Sequence, residues 1–169
     1  MQKSSVEAIV KVLNEHRVRY LIAGGLAVVA HGYVRFTADV DLILATDEAN
    51  LRRAVSALES LGYRSRAPVN FSEFVNPQSR KQWAIEKNMK VFSLFSAQHP
   101  ATEIDLFLEP PLDFGKAYLA AKRIEIVPGL MGPFCSLDDL IALKEQAGRP
   151  RDLEDISHLR RIEKEPRHE

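Results

Sequence analysis

The chain has 169 residues, with 23 Lys plus Arg against 23 Asp plus Glu, so its formal net charge at neutral pH is zero. That balance excludes a global field drawing the protein to nucleic acid or anionic lipid, and any basic patch has to be argued locally. With 46% hydrophobic and 27% charged residues the composition is that of an ordinary globular chain, of a size one hydrophobic core serves. The single cysteine, Cys135, excludes an internal disulfide and fits a reducing cytosol. Residues 1–20 are charged throughout, without the apolar core of a signal peptide. No apolar run approaches the roughly 18–20 residues that cross a bilayer. A soluble, cytoplasmic protein with no membrane partner is expected.

Val6, Ile9, Val10 and Leu13 recur at helical spacing and predict a helix over residues 5–16, with Ser4 or Ser5 as N-cap. Residues 18–23 are a β-branched and aromatic run that reads as a strand and stops at Gly24-Gly25. A short helix over 26–30 follows, with His31-Gly32 as its C-terminal cap. Residues 39–44 read as a second strand. Asp47 caps a helix over 48–61, with Leu51, Ala54, Val55, Leu58 and Leu61 on one face, and Gly62 stops it. Residues 63–66 suit a short edge strand.

Residues 68–90 carry the weakest periodicity, and a helix is expected only over 79–86. Strands over 91–95 and 103–108 flank a turn at His99-Pro100, and Pro110-Pro111 ends the second. A helix over 114–121 and a strand over 123–127 come next. Ser136 is the N-cap of a further helix, with Asp139 three residues on in a capping-box-like pattern and Leu137, Leu140, Ile141 and Leu143 as its apolar surface. Gly148 and Pro150 break it, a last helix spans 152–162, and the polar tail 163–169 reads as frayed. There is no internal repeat. The order predicts an α+β domain: a mixed β-sheet flanked by helices over residues 1–135, with a small helical extension over 136–169 packed on the same domain.

Three pieces carry chemistry. Gly24-Gly25 lets the backbone turn sharply and lets a ligand approach, and the helix behind it presents free N–H groups and a positive dipole end to a phosphate. By itself a Gly-Gly is also an ordinary tight turn. In Asp39-Val40-Asp41 the two carboxylates stand on one face of a strand, where they repel unless a cation lies between them. Mg²⁺ favours such oxygen donors together with substrate phosphates. A bare Asp-x-Asp also suits the solvated face of an edge strand. Asp105 is an acid in the otherwise apolar strand 103–108, with Glu103 on the same face.

Gly-Gly, thirteen residues, Asp-x-Asp in an apolar strand and one Asp in a later strand form a pattern that resembles the nucleotidyltransferase superfamily related to DNA polymerase β. The finer sequence is Gly24-Gly25-Leu26-Ala27, His31-Gly32, Arg35, Thr37 and Asp39-Val40-Asp41-Leu42, closed by Lys144, Gly148-Arg149-Pro150-Arg151-Asp152 and Asp155. It resembles the minimal-nucleotidyltransferase and abortive-infection (AbiEii-like) branch found in bacterial toxin–antitoxin systems. The resemblance implies the nucleotidyltransferase fold. It also implies transfer of a nucleoside monophosphate from an NTP to an acceptor hydroxyl, with release of pyrophosphate. Under it, Asp39, Asp41 and Asp105 are the catalytic and metal-holding carboxylates for Mg²⁺ or Mn²⁺, Asp105 serving the ion nearest the acceptor. Gly24 and Gly25 cradle the β- and γ-phosphates, and Arg35, Thr37 and Lys144 are nucleotide-binding candidates. The acceptor is a tRNA, a protein or a small molecule, and the partner an antitoxin or a second copy of the chain. Gly25 departs from the pattern, since many members carry Ser there.

Several of these residues have plainer readings. Arg35 suits a pair with a neighbouring acid, and Lys144 a solvated helix face. His31 suits a helix end as a dipole-complementing residue. Arg151 and Asp155, at i,i+4, suit a surface ion pair. Arg80, Lys81, Lys87 and Lys90 around Trp83 either meet an RNA acceptor or line a solvated amphipathic helix. Two other functions fit the same residues: a non-catalytic binding subunit, against which the complete acidic triad argues, and a metal-dependent phosphohydrolase.

Overall fold

Alternation of burial along the strands sets the architecture. In β2 (Asp39–Leu44) and β5 (Glu103–Phe107), Val40, Leu42, Ile104 and Leu106 are fully buried, while Asp39, Asp41, Glu103 and Asp105 between them are half-buried. Successive side chains of a strand point to opposite faces, so each strand presents one apolar face and one acidic face. The computed structural model describes residues 1–165. Its other elements are α1 (Lys3–Glu15), β1 (Tyr20–Ala23), α2 (Gly24–Ala30), α3 (Glu48–Glu59), β3 (Arg64–Ser65), a 3-10 turn over Phe71–Val75, α4 (Pro77–Glu86) and β4 (Val91–Phe95). They continue with α5 (Phe114–Ala120), β6 (Lys122–Val127), β7 (Leu130–Phe134), α6 (Leu137–Ala147) and α7 (Pro150–Lys164).

The strands form one seven-stranded mixed sheet in the order β3-β4-β5-β2-β1-β7-β6. β1 runs antiparallel to β2 and parallel to β7, and β2 runs parallel to β5. This is the α+β architecture the element order predicts. Val6, Ile9, Val10 and Leu13 of α1 and Leu51, Ala54 and Leu58 of α3 fill the core, and the two helices pack on each other. α2 leans on β1 and β2 and meets α6, which pairs with α7. Among the described residues no helix is long and apolar enough to cross a membrane.

α1 begins at Lys3 with Gln2, rather than Ser4 or Ser5, as its N-cap, and the structure differs from the expected elements in three further places. β7 is an additional strand inside the sheet. Its sequence, Leu-Met-Gly-Pro-Phe, lacks strand character because Gly132 and Pro133 lie within it. Its hold on β1 is narrow: Phe134 faces Ile22, and the Cys135 N–H donates to the Ile22 carbonyl at 2.9 Å. The helix expected over 79–86 starts earlier, at Pro77, where the Asn76 side chain accepts from the Gln78 N–H at 2.9 Å. Within it Arg80 and Trp83 are buried: Arg80 donates to the Phe74 carbonyl at 2.7 Å, and Trp83 stacks on Phe92 with ring centroids 4.9 Å apart. Trp83 is therefore a core aromatic and offers no stacking face to RNA. Finally, the expected tail begins as helix, since α7 runs to Lys164, and residues 166–169 lie outside the described residues.

Asn50 anchors α3 to the sheet. Fully buried, it accepts from the Arg19 N–H at 2.7 Å and donates to the carbonyls of Arg19 (3.0 Å) and Ala45 (2.8 Å). Asn50→Ala leaves these backbone groups without partners. It is expected to lower stability by about 2–3 kcal/mol, read as a reduced urea midpoint at unchanged m-value.

Candidate active site

Strand register gathers the acids. In the parallel β2–β5 ladder Asp41 lies opposite Asp105 and Asp39 opposite Glu103. On the far side of β5, Ser93 of β4 lies opposite Asp105, and its hydroxyl donates to Asp105 Oδ1 at 2.5 Å. Glu103 pairs with Arg66 at the sheet edge. On the near side Ala23, the last residue of β1, faces Asp41, so Gly24 arrives beside that carboxylate.

Gly24 has to be glycine on two counts. Its φ of +62° is left-handed, and a Cβ there would lie 1.9 Å from Asp41 Oδ2. Gly25 is covered from above: a Cβ on it would lie 2.4 Å from Thr37 Oγ1, 2.8 Å from Thr37 Cβ and 3.1 Å from Arg35 Nη1. A Ser side chain therefore has no room at position 25, and Thr37 brings a hydroxyl over that residue instead.

The crowded acids shift each other. Burial first, then Asp105 and Asp39, push the Asp41 carboxyl from 3.8 up to about 7. Burial, Asp105 and Glu103 also raise Asp39. A set of carboxylate oxygens under mutual repulsion fits a hard divalent cation in kind and in strand register. It is not closed into a cage: among the described residues no three His, Cys, Asp or Glu side chains converge enough to hold an ion. Asp41 leans over Gly24, and Ser93 holds one oxygen of Asp105.

Behind the Gly25 roof lies a buried ionic network. Arg35 donates through Nη2 to Asp155 Oδ2 at 2.8 Å. Lys144, only 5% exposed, sits 2.7 Å from Asp155 Oδ2 and 3.3 Å from Asp152 Oδ1. Arg149 binds Asp152 through its backbone N–H (3.1 Å) and its Nε (2.7 Å). Gly24, Gly25, Arg35, Thr37, Asp39, Asp41 and Asp105 thus share one neighbourhood, with Lys144 joined to it through Asp155.

Three plainer readings give way. Asp155 is a buried partner of Arg35 and Lys144 rather than a surface mate of Arg151, which donates to the Phe36 carbonyl. Lys144 is enclosed rather than solvated. His31 is buried, and that burial lowers its pKa, which disfavours the charged form that would complement the helix dipole. Its Nε2 lies 2.8 Å from the Cys135 carbonyl and ties the end of α2 to the β7–α6 junction. Ser93 is the site residue that sequence reasoning passes over. Its one signal is an alternating position in a strand, legible only once β4 is paired with β5.

Two outcomes are expected. The folded state holds a proton on Asp41 that the unfolded chain releases between 3.8 and about 7. This group's stabilisation is complete at low pH and is lost as pH rises through about 7. Metal-free protein should therefore lose thermal stability relative to Asp41→Asn between about pH 4 and 7, and parallel melting curves across that range would refute the shift. Gly24→Ala meets both the φ and the Asp41 contact, and its unfolding free energy should fall by at least ~1–2 kcal/mol in urea titration.

No protein-family model matches the sequence. No curated protein matches it either. Among solved structures the fold is similar to that of the aminoglycoside nucleotidyltransferase ANT(2'')-Ia, solved in complex with adenylyl-2''-tobramycin. The two share 15% sequence identity at a TM-score of 0.57, over 96% of this chain and 92% of that one. The chain therefore has the nucleotidyltransferase fold.

Proposed function

We propose that the protein is a metal-dependent nucleotidyltransferase that moves a nucleoside monophosphate from an NTP to an acceptor hydroxyl and releases pyrophosphate. The observation that carries this reading is the alignment of Asp41 on Asp105 across β2–β5, directly beside the Cβ-free Gly24. Likeness of fold over nearly the whole of both chains supports it.

Each residue then has a task. Gly24 and Gly25 let the triphosphate approach the backbone at the turn, beside the Thr37 hydroxyl and the Arg35 guanidinium. Asp39, Asp41 and Asp105 would hold the metal, Mg²⁺ or Mn²⁺. A divalent cation there would supply neutralisation of the phosphate charge, which is most of what phosphoryl-type transfer requires. Asp105, oriented by Ser93, takes the proton of the acceptor hydroxyl. Lys144 and Arg149 lie within Coulombic reach of Asp41 and add positive charge on the donor side.

The sequence resemblance supports a place in the toxin–antitoxin branch, with a tRNA or protein acceptor, an antitoxin partner and a cytoplasmic setting suited to a single free thiol. The adenylyl-2''-tobramycin of the structural neighbour supports a small-molecule acceptor. The test separates them. The chain is incubated with each α-labelled NTP and Mg²⁺ or Mn²⁺, in the presence of bulk tRNA, of a co-expressed partner, of aminoglycosides, or alone. Label transfer to one acceptor class is expected, lost in Asp41→Asn. A thermal shift with one NTP plus metal, also lost in Asp41→Asn, fixes the donor. NTP hydrolysis without transfer would favour a phosphohydrolase, and neither metal-dependent binding nor transfer would leave a non-catalytic subunit.

A further inference from the structure

One face of α7 is given over to the segment that roofs Gly25. Arg151, Glu154, Asp155 and His158 stand at i, i+3, i+4 and i+7, a single helical stripe. Arg151 donates to the Phe36 carbonyl. Glu154 accepts from the Tyr33 hydroxyl at 3.0 Å, and the His158 ring stacks on Tyr33 with centroids 3.8 Å apart and planes within 8°. Asp155, 1% exposed, takes the Arg35 guanidinium.

The geometry of that guanidinium is the informative part. Its Nε and Nη2 edge faces Asp155. The Nε lies 2.8 Å from Oδ1 but out of line for a hydrogen bond, so the Nη2 bond and the charge pairing hold it. Its Nη1 donates to the Phe36 carbonyl at 2.9 Å and lies 3.1 Å from where a Gly25 Cβ would be. Nη1 carries two hydrogens. The second has no hydrogen-bond partner among the described residues.

We propose that Asp155 is a positioning residue for donor binding: it fixes the Arg35 guanidinium so that Nη1 packs beside Thr37 on the Gly24-Gly25 turn with one N–H left for an oxygen of the donor's triphosphate. The α7 stripe holds residues 33–37 in register for the same purpose. This rests on the nucleotidyltransferase reading above and adds to it that donor affinity is set from the last helix, while the chemistry stays with the carboxylates of β2 and β5.

The test measures KM and kcat for the active NTP with Mg²⁺, and direct NTP binding by calorimetry, on wild type, Asp155→Asn, Arg35→Lys and the double variant. Each single variant is expected to raise the donor KM about tenfold or more and to leave kcat within about threefold, because a positioned charge-assisted contact to the bound donor is lost. The double variant should be no worse than Arg35→Lys alone, since Asp155 acts through Arg35. Asp155→Glu, which keeps a carboxylate, should recover part of the affinity, and it takes the place of Asp155→Asn in the cycle if that variant does not fold. A folded Asp155 variant with unchanged donor KM overturns the proposal, and so do effects that add in the double variant. A wild type that binds no NTP overturns the nucleotidyltransferase reading and this one with it. Wild-type binding with an indifferent Asp155 overturns this one alone.

Discussion

Hydrophobic register forces like charges together. Val40, Leu42, Ile104 and Leu106 all have to reach the buried face of the sheet, and a one-residue slip would turn every one of them outward. Once those four are fixed, the opposite face has no freedom: Asp41 must meet Asp105, and Asp39 must meet Glu103. Acids in this arrangement are unfavourable in the metal-free protein, as the raised Asp41 carboxyl records. The same repulsion is what a divalent cation relieves, so apolar packing on one side of β2 and β5 creates the electrostatic demand on the other. Ser93 and Arg66 blunt that demand only along the outer edge, at Asp105 and Glu103.

The opposite boundary of the site is built from paired charges that are enclosed. Lys144, Asp152 and Asp155 come from α6 and α7, and Arg35 from the segment between α2 and β2. Buried ions are costly unless their partners are close and satisfied, so each of these groups is constrained by the others. Three cations, counting Arg149, face two carboxylates, which leaves positive charge on the side of the site nearest Gly25.

Much of this is legible in the sequence. Strand alternation alone puts Asp39 beside Asp41, and the helices capped by Asp47 and Ser136 form with those caps. What stays hidden depends on register or on distant partners. β7 is masked by its own Gly132 and Pro133, which remove strand propensity from a segment that the sheet nonetheless recruits. Asp155 reads as a surface acid because its nearest sequence cation, Arg151, lies one turn away, whereas its actual partners are Arg35 and Lys144. Ser93 is one serine among many until the β4–β5 ladder sets it against Asp105. The basic stretch around Trp83 misleads in the opposite sense, since its central members serve the core.

The place of β7 has a consequence for the order in which the protein is made. β1, which leads into Gly24, obtains its second neighbour from Phe134 and Cys135, more than a hundred positions later, and Arg35 meets Asp155 across a separation of 120. Contacts of such long sequence separation carry a large loop-closure cost and form slowly. A ribosome-bound chain that has extruded only the strands through β5 already holds all three aspartates, but neither the flank of β1 nor the brace on Arg35. The acidic row is thus in place once β5 has emerged, whereas the side of the site facing Gly25 waits for β7 and α7.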